Sequence, residues 1–250
     1  MTGVTQPTMI VGGPTPPDGG TPRGDEVPAV GVAPPVTEPL PLDLDVPADS
    51  PAAPDLPSLR ERAAGCTACE LYEDTTGTVF GIGPSTARLM MVGEQPGDRE
   101  DREGAPFVGP AGQLLDRALD EAGIARDDAY VTNAVKHFSF HYQGKRRIHD
   151  TPKAGHIRAC RPWLDAELEL VRPQVLLTLG ATAGKALLGP KFRITAERGQ
   201  PREWNGLMLV PTIHPSAILR ADPERGQDSE EMFAGFVADL RGAAEVLGAA

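Results

Sequence analysis

The chain has 250 residues, of which 40% are hydrophobic and 24% charged, with a formal net charge of −11, 26 prolines and three cysteines. No apolar run reaches the ~20 residues of a membrane span, the N-terminus lacks the charged and apolar regions of a signal peptide, and three cysteines are too few for a disulfide scaffold. These features lead to the expectation of a cytoplasmic protein whose thiols are reduced or metal-bound.

Residues 1–57 hold 14 of the 26 prolines, and eight acidic residues against one basic, Arg23. So apolar-poor a segment cannot offset its ordering entropy, and a disordered, Pro-rich acidic tail is expected there, its partner unknown. That tail carries −7 of the −11, leaving −4 for residues 58–250. A local basic groove on so mildly acidic a body remains compatible with nucleic-acid binding.

From residue 58 onward strand and helix patterns alternate. Apolar runs at 88–92, 129–135, 175–179 and 207–210 read as buried strands. Between and after them, helical patterns cover 110–123, with Leu114, Leu115, Ala118 and Leu119 on one face, then 153–171, 181–189 and 229–247. The expected fold is α/β: a three-layer α/β/α sandwich around a central, mostly parallel four-stranded sheet, in one domain over 58–250. No extended heptads are present, and a monomer is expected.

Each strand runs into a polar or glycine-containing segment. Gly93-Glu94-Gln95-Pro96-Gly97 follows the first and Asn133 closes the second. Gly180-Ala181-Thr182 follows the third and Thr212-Ile213-His214-Pro215-Ser216 the fourth. In open α/β sheets ligands bind outside the carboxyl ends of the strands, so these four endings converge on one pocket. Between the second and third strands, Lys145-Arg146-Arg147-Ile148-His149 sets a potential nucleophile two residues after an arginine pair, in a segment without regular hydrophobic periodicity. Cations suit phosphates, and a neutral imidazole can attack carbon. A solvated basic loop is the ordinary reading of such a run.

Taken in order, Gly93-Glu94-Gln95-Pro96-Gly97, the stretch Gly104 to Gly112 with Phe107, Asn133-Ala134-Val135-Lys136 and His214-Pro215-Ser216 resemble the motif set of the uracil-DNA glycosylase superfamily, most of all its iron–sulfur branch. The Lys145–His149 run is similar to the hallmark insertion of the UdgX group, whose members bond covalently to uracil-containing DNA. The resemblance covers about residues 58–245 and implies a DNA-repair activity on uracil-containing DNA, with single strands preferred because uracil there enters a pocket more cheaply than from a duplex.

It also implies roles. Asn133 would read the pyrimidine edge and Phe107 stack on the ring. His214 would donate to the uracil O2 as charge builds on the leaving base. The turn from Gly93 through Gln95 to Asp98, together with Ser216, would line the substrate site, and Arg146, Arg147 and Lys145 would hold phosphates. Glu94 would stabilise an oxocarbenium-like sugar, and either orient a water or take the second proton from an attacking imidazole. His149 would be that imidazole, leaving the protein attached to an abasic sugar.

Cys66-Thr67-Ala68-Cys69 has a two-residue spacing that suits a metal or cluster. The resemblance adds Cys160 as a later cluster ligand and places His137 where the iron–sulfur glycosylases carry another cysteine. A [4Fe–4S] cluster on Cys66, Cys69, His137 and Cys160 follows, with a Cys₃His zinc site as the competitor. Two other functions stay open: a conventional multiple-turnover glycosylase, and a noncatalytic metal-stabilised nucleotide-binding module.

Overall fold

The structure is a computed structural model that describes residues 1–3 and 53–249. The tail expected over 1–57 therefore lies, for residues 4–52, outside the described residues. Its last residues belong to the folded part. Asp55 caps α1 (Leu56–Ala63) by accepting from the Ser58 N–H at 2.8 Å, and Pro57 sits in the first turn, where a missing N–H is harmless.

The remaining elements are β1 (Leu89–Gly93), α2 (Asp98–Glu103), α3 (Pro110–Ala122), β2 (Ala129–Asn133), β3 (Phe140–Gln143), β4 (Arg146–His149), α4 (Ala154–Val171) and β5 (Val175–Leu179). They continue with α5 (Gly180–Leu188), α6 (Ile194–Glu197), β6 (Arg202–Trp204), β7 (Leu207–Thr212), α7 (Pro215–Leu219) and α8 (Ser229–Ala249). Among the described residues no helix is long and apolar enough to cross a membrane.

The main sheet runs β2-β1-β5-β7-β6, with the first four strands parallel. It is the expected mostly parallel sheet, but it has five strands where four were expected. The fifth, β6, is an antiparallel edge of three residues, Arg202-Glu203-Trp204, too short and polar to leave an apolar run. Asn205 and Gly206, both at positive φ (48° and 78°), join it to β7 in a two-residue turn of the type I′ kind.

A second departure concerns 140–149. The stretch read as an aperiodic loop is an antiparallel hairpin, β3 with β4, pairing Phe140 with His149 and Tyr142 with Arg147. Its turn is Gly144-Lys145, with Gly144 at φ 64°. The alternation that builds it is aromatic on one strand and cationic on the other, so it leaves no aliphatic signature.

The four parallel strands are buried on both faces, and alternate residues feed two cores. Met90, Val92, Tyr130, Leu176 and Leu209 pack with Leu59 of α1, Leu164 and Leu168 of α4 and Ala183 of α5. Met91, Val131, Leu177 and Val210 pack with Leu115 and Leu119 of α3 and Phe236 and Leu240 of α8. Gly93 and Asn133 are paired in register, so the two strands end side by side.

Under that end lies a buried ion pair. Lys136 Nζ, 1% exposed, donates to Glu167 Oε2 at 2.5 Å, to Thr132 Oγ1 at 2.7 Å and to the Asn133 carbonyl at 2.9 Å. Glu167 Oε1 accepts from the Tyr130 hydroxyl at 2.9 Å and the Gly81 N–H at 3.1 Å. Removing one partner of such a pair strands a charge at a cost of about 3–5 kcal/mol. Lys136→Met should lower stability by that order in urea denaturation. Adding Glu167→Gln, which neutralises the charge while keeping the acceptor for Tyr130 and Gly81, should recover most of it.

Candidate functional site

The sequence-predicted residues gather where the parallel strands end. A cleft of about 380 Å³ is lined by Gln95, Phe107, Asn133, His149, His214 and Ser216. A neighbouring depression of about 250 Å³ shares His149 and His214 and adds Glu94 and Gly180.

The inner wall is built by close approach. A methyl group at Gly93 would collide with Asn133 Oδ1 and the Phe107 ring, and one at Gly112 with the Phe107 backbone, so both positions need glycine. Phe107 is held at φ 57°, a left-handed conformation rare for an aromatic residue. Its loop is pinned by Glu100, whose carboxylate accepts from the Gly109 N–H at 2.8 Å and the Gly97 N–H at 3.1 Å. Beside the ring, the buried Asn133 Oδ1 has no hydrogen-bond partner among the described residues. Such an acceptor is uncommon in a folded interior.

His214 faces Phe107 with ring centroids 5.9 Å apart and planes at 28°. It precedes α7, and its Nδ1 accepts from the Ser216 N–H at 3.1 Å while lying 2.8 Å from Ser216 Oγ. The ring proton is thereby assigned to Nε2. Burial, and then the neighbouring Arg220 and His149, push the His214 pKa down to about 4, so at neutral pH this ring is an uncharged N–H donor. Ser216 is thus a support for His214 within the protein.

Glu94 follows β1. Its Oε2 accepts a hydrogen bond from Thr182 Oγ1 in the first turn of α5. Its Oε1 lies 3.6 Å from His149 Nε2, too far for a hydrogen bond. The α5 start depends on Gly180 at φ 89°, where a methyl group would press on His214 Cβ at 2.9 Å. Glu94 and His214 thus follow β1 and β7, and both meet the start of α5 between them, Glu94 through Thr182 and His214 through Gly180.

Gln95 is a buried part of the cleft wall whose amide is engaged with the hairpin. Its Nε2 lies 3.1 Å from the Ser139 carbonyl, 3.0 Å from the Asp150 carbonyl and 3.0 Å from His149 Nε2, while its Oε1 accepts from the Ser139 N–H at 3.1 Å. That amide clasps the base of the hairpin. Arg147 is likewise occupied: Nε bonds Asp98 Oδ1 at 2.5 Å and an Nη bonds Asp101 Oδ2 at 2.6 Å, with the guanidinium over Phe138 and Phe140. Asp98 and Arg147 thus engage each other. Lys145 and Arg146, at the hairpin tip, are exposed.

The profile of the uracil DNA glycosylase superfamily matches residues 80–241. The chain belongs to this superfamily. It is 42% identical to a type-4 uracil-DNA glycosylase of Thermotoga maritima over 162 residues, covering 64% of this chain and 81% of the relative. The type-4 enzyme of Sulfurisphaera tokodaii is 35% identical over 173 residues, 66% of this chain and 76% of the relative. That of Pyrobaculum aerophilum is 33% identical over 186 residues, 71% and 91% respectively.

The cysteines of this glycosylase-superfamily chain lie on the α4 side. Buried Cys66 Sγ accepts from Trp163 Nε1 at 3.2 Å, and buried Cys160 Sγ from the Lys136 N–H at 3.4 Å. Cys69 is half-buried and pairs with the Cys160 thiol, which draws its pKa down to about 6. His137 is 2% exposed, its Nδ1 has no hydrogen-bond partner among the described residues, and burial lowers its pKa. Among the described residues, no three His, Cys, Asp or Glu side chains close on one point as a single metal ion requires.

Two members of the site were not picked out from the sequence. Thr182 was placed at the right strand end but given no role, because one threonine in a helical first turn has no signature. Arg220, which lines both depressions, follows the last motif in an unremarkable helical turn.

Proposed function

We propose that this protein recognises uracil in DNA, preferring single strands, cleaves its N-glycosidic bond and stays attached to the abasic sugar through His149. The observation that carries the reading is His149 Nε2, half-exposed at the mouth of the cleft and 3.6 Å from Glu94 Oε1 without being bonded to it. A sugar C1′ presented there meets a nucleophile and a cation-stabilising carboxylate together.

The cleft floor suits a pyrimidine. Asn133 Oδ1 is an acceptor in want of a donor, which N3–H of uracil supplies, and Phe107 offers a ring face. As the C1′–N1 bond breaks, its electron pair leaves with uracil, and the neutral His214 N–H faces the charge that develops on O2. A neutral donor stabilises this anion without protonating it beforehand. The imidazole lone pair of His149 forms the new bond to C1′. Loss of the remaining ring proton, from Nδ1 through water to Glu94, leaves a neutral N-substituted imidazole, and uracil takes up a proton.

A second reading, multiple-turnover hydrolysis, is favoured by the similarity to type-4 uracil-DNA glycosylases. Here the Glu94 carboxylate, fixed by Thr182, would orient water at C1′. A uracil-containing oligonucleotide run on a denaturing gel separates the readings: a shifted band supports attachment, free abasic product supports turnover, and the absence of both supports a noncatalytic module. In His149→Gly or His149→Ser the shifted band should vanish while uracil release persists at a lower rate, since water gains the vacated space. A band that survives in those variants would remove His149 from the reaction.

Thr182→Val keeps the shape of the side chain but removes the donor to Glu94. Uracil release under single-turnover conditions should slow by at least ~10-fold, given that misplacing a catalytic group by ~1 Å can cost ~10²-fold. Thr182→Ser, which restores the hydroxyl, should recover most of the rate.

We also assign a [4Fe–4S] cluster to Cys66, Cys69, Cys160 and His137. Support comes from the soft donor set, the N–H groups aimed at Cys66 and Cys160, and the orphaned buried Nδ1 of His137. A four-iron cluster spreads its ligands more widely than one ion does, so convergence on a single point is not required. The cluster would serve as a structural brace, tying the 136–160 segment to the N-terminal helix region and so fixing the hairpin. His137→Ala should lower iron content and visible absorbance, and His137→Cys should retain both. A protein that carries zinc and no iron would favour the Cys₃His alternative.

A further inference from the structure

Tyr142 is 64% exposed, one of the few large apolar side chains left open among the described residues. It lies on β3, one alternation from Phe140, whose cross-strand partner is His149, and directly opposite Arg147. Paired residues share a face, and i, i+2 residues do too, so Tyr142, Phe140, Arg147 and His149 lie on one side of the hairpin. Phe140 holds the Tyr142 ring edge-on at a centroid distance of 5.3 Å. The ring therefore stands about 7 Å, one two-residue strand step, further out along the hairpin than the His149 rung.

The same tip carries Lys145, in the turn, and Arg146, which is paired with Gln143 and so lies on the face away from Tyr142; both are exposed and neither is in an ion pair among the described residues. Arg147 neutralises Asp98 and Asp101 below them, and Asp150 pairs with His141 at 2.9 Å on the other face of the hairpin. An aromatic surface with a free cation at its end has the composition of a single-stranded nucleic-acid platform, where bases stack and phosphates are held.

We infer that Tyr142, with Lys145 in the adjoining turn, forms a subsite for the nucleotide next to the uridine in the cleft. The inference rests on the uracil-DNA reading above. Withdrawing a base from the strand leaves one face of its neighbour unstacked. Tyr142 covers that face, replacing the stacking lost, while Lys145 holds the adjoining phosphate. No sequence is read, because every base has a π-face.

The test uses single-stranded oligonucleotides in which the uridine carries a 2′-fluorine in the arabino configuration to resist cleavage and 2-aminopurine stands on its 5′ or 3′ side. Wild type should quench the 2-aminopurine on one of the two sides. Tyr142→Ala should lose that quenching and bind at least ~5-fold more weakly, the lower end of a base–aromatic stack. Tyr142→Phe should keep both properties. Lys145→Ala should weaken binding and flatten its salt dependence while leaving the quenching of the bound state intact. Wild-type affinity and quenching in Tyr142→Ala overturn the subsite, as does an absence of quenching on both sides in wild type. If wild type does not distinguish the uracil strand from a thymine control, the uracil-DNA reading fails and the subsite falls with it.

Discussion

The Lys136 ammonium has almost no surface of its own, and three parts of the molecule meet on it: the end of β2 through Thr132 and the Asn133 carbonyl, α4 through Glu167, and, through Glu167, the Gly81 N–H. Two charges so deeply placed are tolerable only when every donor and acceptor around them is used, and here Tyr130 and Thr132 complete the set. The pair fixes where β2 stops and how the chain leaves it. On one side of that point stands Asn133 in the cleft. On the other, the Lys136 N–H reaches Cys160 and the next residue is His137. One buried interaction thus links Asn133 in the cleft to the cysteine side of the domain.

The cleft follows a similar economy of charge. His214 is kept neutral by desolvation and by the Ser216 N–H on its Nδ1, so it offers a donor without a permanent positive charge at the mouth. A charged imidazole would hold an anionic leaving group more strongly, but burial there disfavours it at neutral pH. In the proposed reaction Glu94, oriented by the Thr182 hydroxyl, would supply the complementary negative charge on the sugar side. Donor and carboxylate follow β7 and β1, and both lean on the start of α5 after the β5 strand between them, so their separation belongs to the sheet.

This division explains what the sequence disclosed. Central parallel strands are apolar throughout, and their ends carry the chemistry, so 88–92, 175–179 and the residues after them could be read directly. Asn133, Phe107 and His214 became legible as a set through their ordered motifs, two of whose glycines, at 93 and 112, are required for Asn133 and Phe107 to approach. The hairpin was hidden because its periodicity is carried by Phe140 and Tyr142 against Arg147 and His149, held by cation–π contacts and two carboxylates instead of an aliphatic face. The β6 edge was missed despite its Asn205-Gly206 turn, since three mixed residues make no strand pattern. For Gln95 and Arg147 the residue type pointed to substrate and phosphate, whereas the structure spends both side chains on anchoring the hairpin.

That anchoring bears on the reaction itself. A two-stranded hairpin is marginal alone, and this one lies outside the main sheet, so the position of His149 is set by its attachments: the Gln95 clasp at its base, the Arg147 bonds to α2, and the Phe138 ring 5.9 Å from the imidazole. Glu94 comes from the end of a central strand and His149 from an appended element, and 3.6 Å separates them. In the proposed reaction a close hairpin would let the imidazole reach C1′ ahead of solvent, whereas a displaced one would admit water to the same carboxylate, so the attachments of the hairpin would decide between capture and hydrolysis.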